Sequence, residues 1–371
     1  MGRKSNCRIV VKLGTSTLTA GTSYLSLPRI VDLVRQMAYL HEQGCEVVLV
    51  SSGAMAAGRE RLGFPKLPKE IPAKQMLAAI GQPRLMALYE KLFELYGVYV
   101  AQVLITRADL NNRRRYLNSR NTLEALLVQR VIPVVNENDT VTSEEIRVGD
   151  NDNLSGLVAN LIEADMMVLL TDQLGFYRAD PRTDPTAEMI DEISDPTISD
   201  DLWSAASGGG GGLGTGGMLT KLQAADLARR SGAMVVIAAG DESDVLIRLF
   251  TGEMIGTRFT PVSSPLEGRK RYILAGSDPL GVLGVDAGAE RALRTGGSLL
   301  PVGISVVEGH FERGDTVGVN GPNGVEIARG LVNYRANDLE RIRGQQSESI
   351  EAILGYAYGD EVIHRNNMVL L

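Results

Sequence analysis

The sequence predicts a three-layer α/β sandwich on an open, mostly parallel central sheet, followed by a small, mostly β domain. Three observations carry this. Six short apolar runs, at 8–13, 46–50, 98–105, 131–135, 166–170 and 233–238, read VVLV, VIPVV, MVLL or MVVIAA rather than alternating apolar with polar. Strands that are hydrophobic throughout are buried on both faces, as in a parallel sheet covered by helices. Helical patterns lie between them, and beyond Phe259 the character of the chain changes.

The helices are predicted at 28–43, 73–96, 117–130, 154–163 and 218–230, with Gly44, Gly97 and Gly232 just past three of the ends. Glycine there is a common helix stop, because it adopts the left-handed conformation without a steric penalty. Residues 260–268 (TPVSSPLEG) read as a Pro/Ser linker. Strand-like runs follow at 303–307, 315–319 and 325–332, with a turn at 320–324. The expected division is a domain over 1–260, a linker over 261–276 and a second domain with a C-terminal extension over 277–371.

Composition narrows the function classes. The chain has 371 residues, 44% hydrophobic and 22% charged, which is ordinary for a soluble globular protein with room for two domains. A net charge of −7 speaks against nucleic acid as the main partner. Residues 277–351 carry the same acidic bias, with seven Arg and no Lys against eleven Asp and Glu. No apolar run approaches the ~20 residues of a membrane span, and MGRKSNCRIVVK lacks a signal-peptide core. Cys7 and Cys45 show no metal-ligand spacing, which fits a reduced, cytoplasmic setting. With only His41, His310 and His364, a His-rich metal site or a Ser-His-Asp hydrolase is disfavoured.

The densest chemical signal is GGGGGLGTGGMLTK at 208–221, eight glycines in ten positions ahead of Lys221. Backbone N–H groups free of Cβ atoms, beside a helix N-terminus, form an anion site. It is not a Walker A loop, since Met-Leu-Thr separates the last glycine from the lysine. Alone it reads equally well as a flexible linker. Ligands of open parallel sheets bind at the carboxyl ends of strands, and those ends carry polar residues here. They are Lys12-Leu-Gly14-Thr15-Ser16, Ser51-Ser52-Gly53, Asn136-Glu-Asn138-Asp139 and Thr171-Asp172, with a further helix starting near Gly149-Asp150-Asn151-Asp152. Two lysines, glycine amides and several carboxylates suit phosphoryl transfer, where positioning and charge cancellation supply most of the acceleration. Lys12 ends a buried run, where lysine seldom sits without a partner. Lys221 is placed in the first turn of its helix, where its charge opposes the dipole unless an anion is bound.

These segments together resemble a known family. VKLGTS (11–16), VSSGAMAAG (50–58), VVNENDTV (134–141), VGDNDNLS (148–155), LLTDQLGFYRADPR (169–182) and GLGTGGMLTKLQAAD (212–226) are similar to the glutamate 5-kinase family of the amino acid kinase superfamily. GHFERGDTV (309–317) and EIARGLVNY (326–334) resemble its C-terminal PUA domain. The resemblance implies ATP and Mg²⁺, L-glutamate as acceptor and L-glutamyl 5-phosphate as product, the first step of proline synthesis. It assigns Lys12 and Lys221 to the transferring phosphoryl group and Asp152 to holding both lysines. ATP falls to Thr171, Asp172 and the segment Thr215, Gly216, Gly217, Met218, Leu219, Thr220 and Lys221; glutamate falls to Ser52, Asp139 and Asn151. No protein-held metal site is implied. An acceptor-only carboxylate such as Asp139 suits the α-ammonium, and Ser52 and Asn151 can donate to the substrate's carboxylates. Proline inhibition, a homodimer or tetramer and transient contact with glutamyl phosphate reductase also follow from the resemblance. The rivals are a sister kinase acting on another carboxylate or carbamate, or on UMP, and an RNA-binding PUA protein. SGGGGG at 207–212 is richer in glycine than the family pattern, and the Arg113-Arg114-Arg115 run is denser, reading as a solvated charged face.

Overall fold

The computed structural model describes residues 7–68, 70–142, 150–207, 216–262 and 279–371. The chain divides into two compact units, one from 1–110 and 119–264 and the other from 111–118 and 265–371. In the first, strands β1 (Arg8–Leu13), β2 (Glu46–Ser51), β3 (Val100–Ile105), β4 (Ile132–Glu137) and β5 (Met166–Thr171) are followed by three short strands. These are β6 (Phe176–Tyr177), β7 (Met189–Ile190) and β8 (Glu192–Ile193), and β9 (Met234–Ala239) and β10 (Thr257–Phe259) complete the set. Eight of them make one sheet in the order β3-β4-β2-β1-β5-β9-β10-β8. The first six are mutually parallel and β10 runs antiparallel to β9, so the sheet is mostly parallel as expected. The last two strands of the order are two or three residues long, too short to leave a periodic signal in sequence.

Parallel register sends every functional strand end to one edge. Lys12 lies opposite Val50 and Leu169, Leu13 opposite Ser51, and Leu104 opposite Asn136. Alternation then chooses the face. Ile9, Val11, Leu13, Val47 and Leu49 pack under helices α2 (Leu27–Glu42) and α4 (Ile71–Glu94). Lys12 therefore points with Val10 toward the opposite face, which is covered by α7 (Asp150–Leu161) and α9 (Gly216–Arg230). Ser51 takes the α4 side, and its hydroxyl pairs with that of Tyr89 at 2.7 Å.

Four helix starts lie two to four residues before the sequence reading, at 71 for 73, 113 for 117, 150 for 154 and 216 for 218, and two of them move charged residues. The helix predicted from 117 begins at Arg113, so Arg113–Arg115 form its first turn, with Asn112 Oδ1 accepting from the Arg115 amide at 3.1 Å. Helix α9 begins at Gly216, which puts Lys221 in the second turn rather than the first. Both helices open on residues without an apolar pattern, and periodicity locates only the packed part of a helix.

The loop after β2 is held by a close crossing of α4 with α3 (Ala54–Arg61). A Cβ built on Gly81 would lie 1.8 Å from the Ala54 carbonyl oxygen and 2.4 Å from the Gly58 nitrogen, both backbone atoms that cannot swing away. Gly81→Ala is therefore expected to cost about 1–3 kcal/mol or more and to displace the turn that carries Ser52. Urea denaturation checks this, and an unchanged midpoint would show that the two helices part without cost.

In the second unit, strands β11 (Gly281–Val285), β12 (Ile304–Gly309), β13 (Thr316–Asn320), β14 (Glu326–Leu331) and β15 (Met368–Leu370) form one sheet in the order β12-β11-β13-β14-β15. The expected turn at 320–324 closes the β13–β14 hairpin, with the Gly321 amide donating to the Val325 carbonyl. Leu283, Val317, Val319, Ala328, Tyr334 and Leu339 are among the residues of a separate core. Strands β11 and β15 and short helices at Ala287–Arg294, Ala336–Ile342 and Ile350–Leu354 add to the three predicted strands. Among the described residues, no helix is long and apolar enough to cross a membrane.

Candidate active site

Three charged side chains meet at the carboxyl edge of the first unit's sheet. Lys12, 4% exposed at the end of β1, forms an ion pair with Oδ1 of Asp152, 1% exposed in the first turn of α7. Lys221 Nζ reaches the other oxygen of the same carboxylate at 3.3 Å. Thr220 Oγ1 donates to that oxygen at 2.8 Å, and Lys221 Nζ also donates to the Gly217 carbonyl at 3.0 Å. One carboxylate thus aligns two ammonium groups. Burial alone would raise the Asp152 carboxyl, but Lys12 and Lys221 outweigh it and hold the group below its ordinary value. Burial lowers the Lys12 ammonium, helped by Lys221 and opposed by Asp152. A Cβ built on Gly14 would come within 3.3 Å of Lys12 Nζ, so the turn after β1 leaves space beside the ammonium that a larger residue would invade.

Lys221 also lines a cleft of about 220 Å³ with Thr171, Asp172, Gly217, Met218 and Ser16. Tyr177, Asp180, Arg182 and Ala205 complete much of its wall. Thr171, 4% exposed, donates to Asp172 Oδ1 at 3.0 Å. The chemistry of this lining, a cation, hydroxyls, carboxylates and apolar side chains, fits a flat ring system carrying a chain of phosphates.

Beside the ion pair, Asn151 Nδ2 donates to Ser52 Oγ at 2.9 Å, to Asn136 Oδ1 at 2.8 Å and to the Ser51 carbonyl at 3.3 Å. Among the described residues, its Oδ1 is buried without a hydrogen-bond partner. The amide nitrogen expected to donate to a ligand is thus committed to protein acceptors, and the remaining group is an acceptor. Asp139, half-buried, lies three residues beyond Asn136 in the turn after β4.

Lys12, Asp152, Thr220 and Lys221 therefore come together, as do Ser52 and Asn151, while Thr171, Asp172, Gly217, Met218 and Lys221 share the cleft. Leu219 and Thr220 do not line that cleft, and Gly216 opens α9. Thr215 and the glycines at 208–214 lie outside the described residues. Sequence reasoning passed over Asp180 and Arg182, although both stand in the motif at 169–182, because no spacing rule singles them out. It also passed over Gln82, whose Oε1 accepts from Asn136 Nδ2 at 2.8 Å and which has no local signal in sequence.

The sequence profile of the amino acid kinase family matches residues 8–239, and that of the PUA domain matches residues 281–354. A protein from Herpetosiphon aurantiacus named glutamate 5-kinase is 55% identical over 370 residues, spanning 100% of both chains. Proteins of the same name from Photobacterium profundum and Deinococcus radiodurans are 55% and 54% identical, each aligned with 98% of this chain and with 96% and 100% of their own.

Proposed function

The chain belongs to the amino acid kinase family, with glutamate 5-kinases as full-length relatives, and on that premise we propose that it phosphorylates the γ-carboxylate of L-glutamate with ATP. The product is L-glutamyl 5-phosphate, the entry to proline synthesis. The observation that carries the reading is the Asp152 carboxylate shared by Lys12 and Lys221. It holds two ammonium groups at fixed positions where a phosphoryl group in transit gathers negative charge, so the site needs no reorganisation as charge develops.

The attacking γ-carboxylate, with a solution pKa of about 4.3, is already ionised at neutral pH. No side chain is required to remove a proton, which agrees with a site built without histidine. Nucleotide occupies the cleft of Thr171, Asp172, Gly217, Met218 and Lys221. Mg²⁺ would enter with the nucleotide in this reading; the oxygen donors Thr171, Asp172 and Asp180 on the cleft wall suit a hard cation, which would supply neutralisation of the phosphate charge. Glutamate lies against Ser52, Asp139 and Asn151. Asp139→Ala is expected to raise the KM for glutamate about tenfold or more, as loss of a charge-assisted hydrogen bond does, with kcat changed less. An unchanged glutamate KM would remove Asp139 from the site.

The family reading also proposes a cytoplasmic homo-oligomer inhibited by proline, passing its labile product to a reductase. Acyl-hydroxamate formation with ATP, Mg²⁺ and hydroxylamine tests the function. Signal with L-glutamate and not with aspartate or N-acetylglutamate is expected; signal with another acid alone would overturn the substrate, and none with any acid would overturn the reaction class.

A further inference from the structure

We propose that Cys7 and Cys45 are a two-electron oxidation site, where a hydroperoxide converts the neighbouring thiols into one disulfide between the amino ends of β1 and β2. The site is independent of the proposed function and lies about 16 Å along β1 from Lys12.

Strand register brings the two cysteines together. Strands β1 and β2 are parallel, with Arg8 opposite Glu46 and Ile9 opposite Val47. Cys7 and Cys45 each precede the first residue of their strand, so the same register sets them side by side. The Glu46 amide, donating to the Cys7 carbonyl at 2.8 Å, holds that alignment. Alternation puts both side chains on the face of Ile9 and Val47. Cys45 belongs to the core on that face, and Cys7 packs against it. Adjacent strands run about 4.8 Å apart, inside the Cα separations of about 4.4–6.8 Å that a disulfide spans. The two thiols already share a hydrogen bond, and it holds the Cys45 thiol below its ordinary value. Burial opposes this, the Arg130 guanidinium adds to it, and Asp165 opposes it. Both are free thiols and the only cysteines of the chain, so no other intrachain disulfide competes.

Exposure divides the roles. Cys45 is 1% exposed whereas Cys7 is half-buried, so an oxidant in solution meets Cys7 first. The Cys7 sulfur, losing its proton, attacks one oxygen of hydrogen peroxide; the O–O bond breaks and the other oxygen leaves as water. The sulfur of Cys45, losing its proton in turn, attacks the Cys7 sulfenic sulfur. The S–S bond forms, the S–O bond breaks, and the hydroxyl leaves as a second water. Two thiols are oxidised and one peroxide is reduced. A partner thiol already in contact intercepts the sulfenic acid before the irreversible sulfinic stage.

The test treats the folded full-length chain with a small excess of hydrogen peroxide, then alkylates the remaining thiols in denaturant. Intact mass and a peptide map without reductant are the readouts. Wild type should lose about 2 Da, the two thiol hydrogens, resist alkylation at both cysteines and yield one Cys7–Cys45 cross-linked peptide. Dithiothreitol should reverse all three changes. The Tm of the oxidised form should rise by about 3–7 °C, because the bond closes a loop containing β1 and α2. Cys45→Ala removes the intercepting thiol, so Cys7 should proceed to sulfinic acid, a gain of about 32 Da. Cys7→Ser should slow oxidation of Cys45 about tenfold or more, since the remaining thiol is buried. Wild-type sulfinic acid at Cys7, with Cys45 still open to alkylation after unfolding, would overturn the proposal. Dimers cross-linked through Cys7 in place of the intrachain product would do the same. Oxidation of Cys45 at equal rates in wild type and Cys7→Ser would overturn the entry of oxidant through Cys7.

Discussion

Lys12→Ala is expected to lower kcat by about two to three orders of magnitude, the scale for removing one preorganised charge-stabilising group, while the KM for glutamate changes by less than about threefold. The ammonium sits at the end of a buried strand, 4% exposed, on the face covered by α7 and α9. Lys221→Ala is expected to behave in the same way, because the two ammonium groups share one carboxylate. A loss confined to KM would show that these lysines bind the ground state and transition state alike. The pH profile supplies a second check. Burial holds the Lys12 ammonium below its ordinary value of 10.5, so turnover should decline on the alkaline side before that pH as the charge is lost.

Asp152→Ala is expected to destabilise the protein by about 3–5 kcal/mol, the usual cost of leaving a buried charge without its partner. It should also abolish measurable turnover. Asp152 is 1% exposed and is the common partner of Lys12, Lys221 and Thr220, so its removal releases the whole constellation. Asp152→Asn keeps the shape and separates the two effects. Its native carboxyl is held below the ordinary 3.8, so the wild-type carboxylate adds stability that is fully present above the unfolded value. That contribution disappears as the pH falls through the folded value. Denaturation midpoints measured from neutral to strongly acid pH should fall less steeply for Asp152→Asn than for wild type below about pH 4. Parallel curves would mean that another carboxylate controls the acid limb.

Much of the fold was legible because burial on both faces leaves a compositional trace. MVLL and MVVIAA are readable as central strands without any knowledge of their neighbours, and β5 and β9 do lie side by side in the sheet. The short antiparallel β10 and the pair β6–β7 were not legible, since two or three residues hold no period. Lys221 was misplaced by one turn for a related reason: the first residues of α9 are glycines, which carry no apolar face.

By itself the sequence determined the layered architecture, the edge at which the polar strand ends collect and, through its motifs, the residues that gather there. Those properties depend on residue type along the chain, and residue type is what a sequence states. Only the tertiary structure decided which of these residues touch and with what polarity. Lys221 meets Asp152 across 69 positions and Asn136 meets Gln82 across 54, contacts made by strand register and helix packing rather than by any local pattern. The Asn151 amide is the clearest case. Its composition allows it to donate or accept, and the backbone N–H of Glu137, reached through Asn136, selects which.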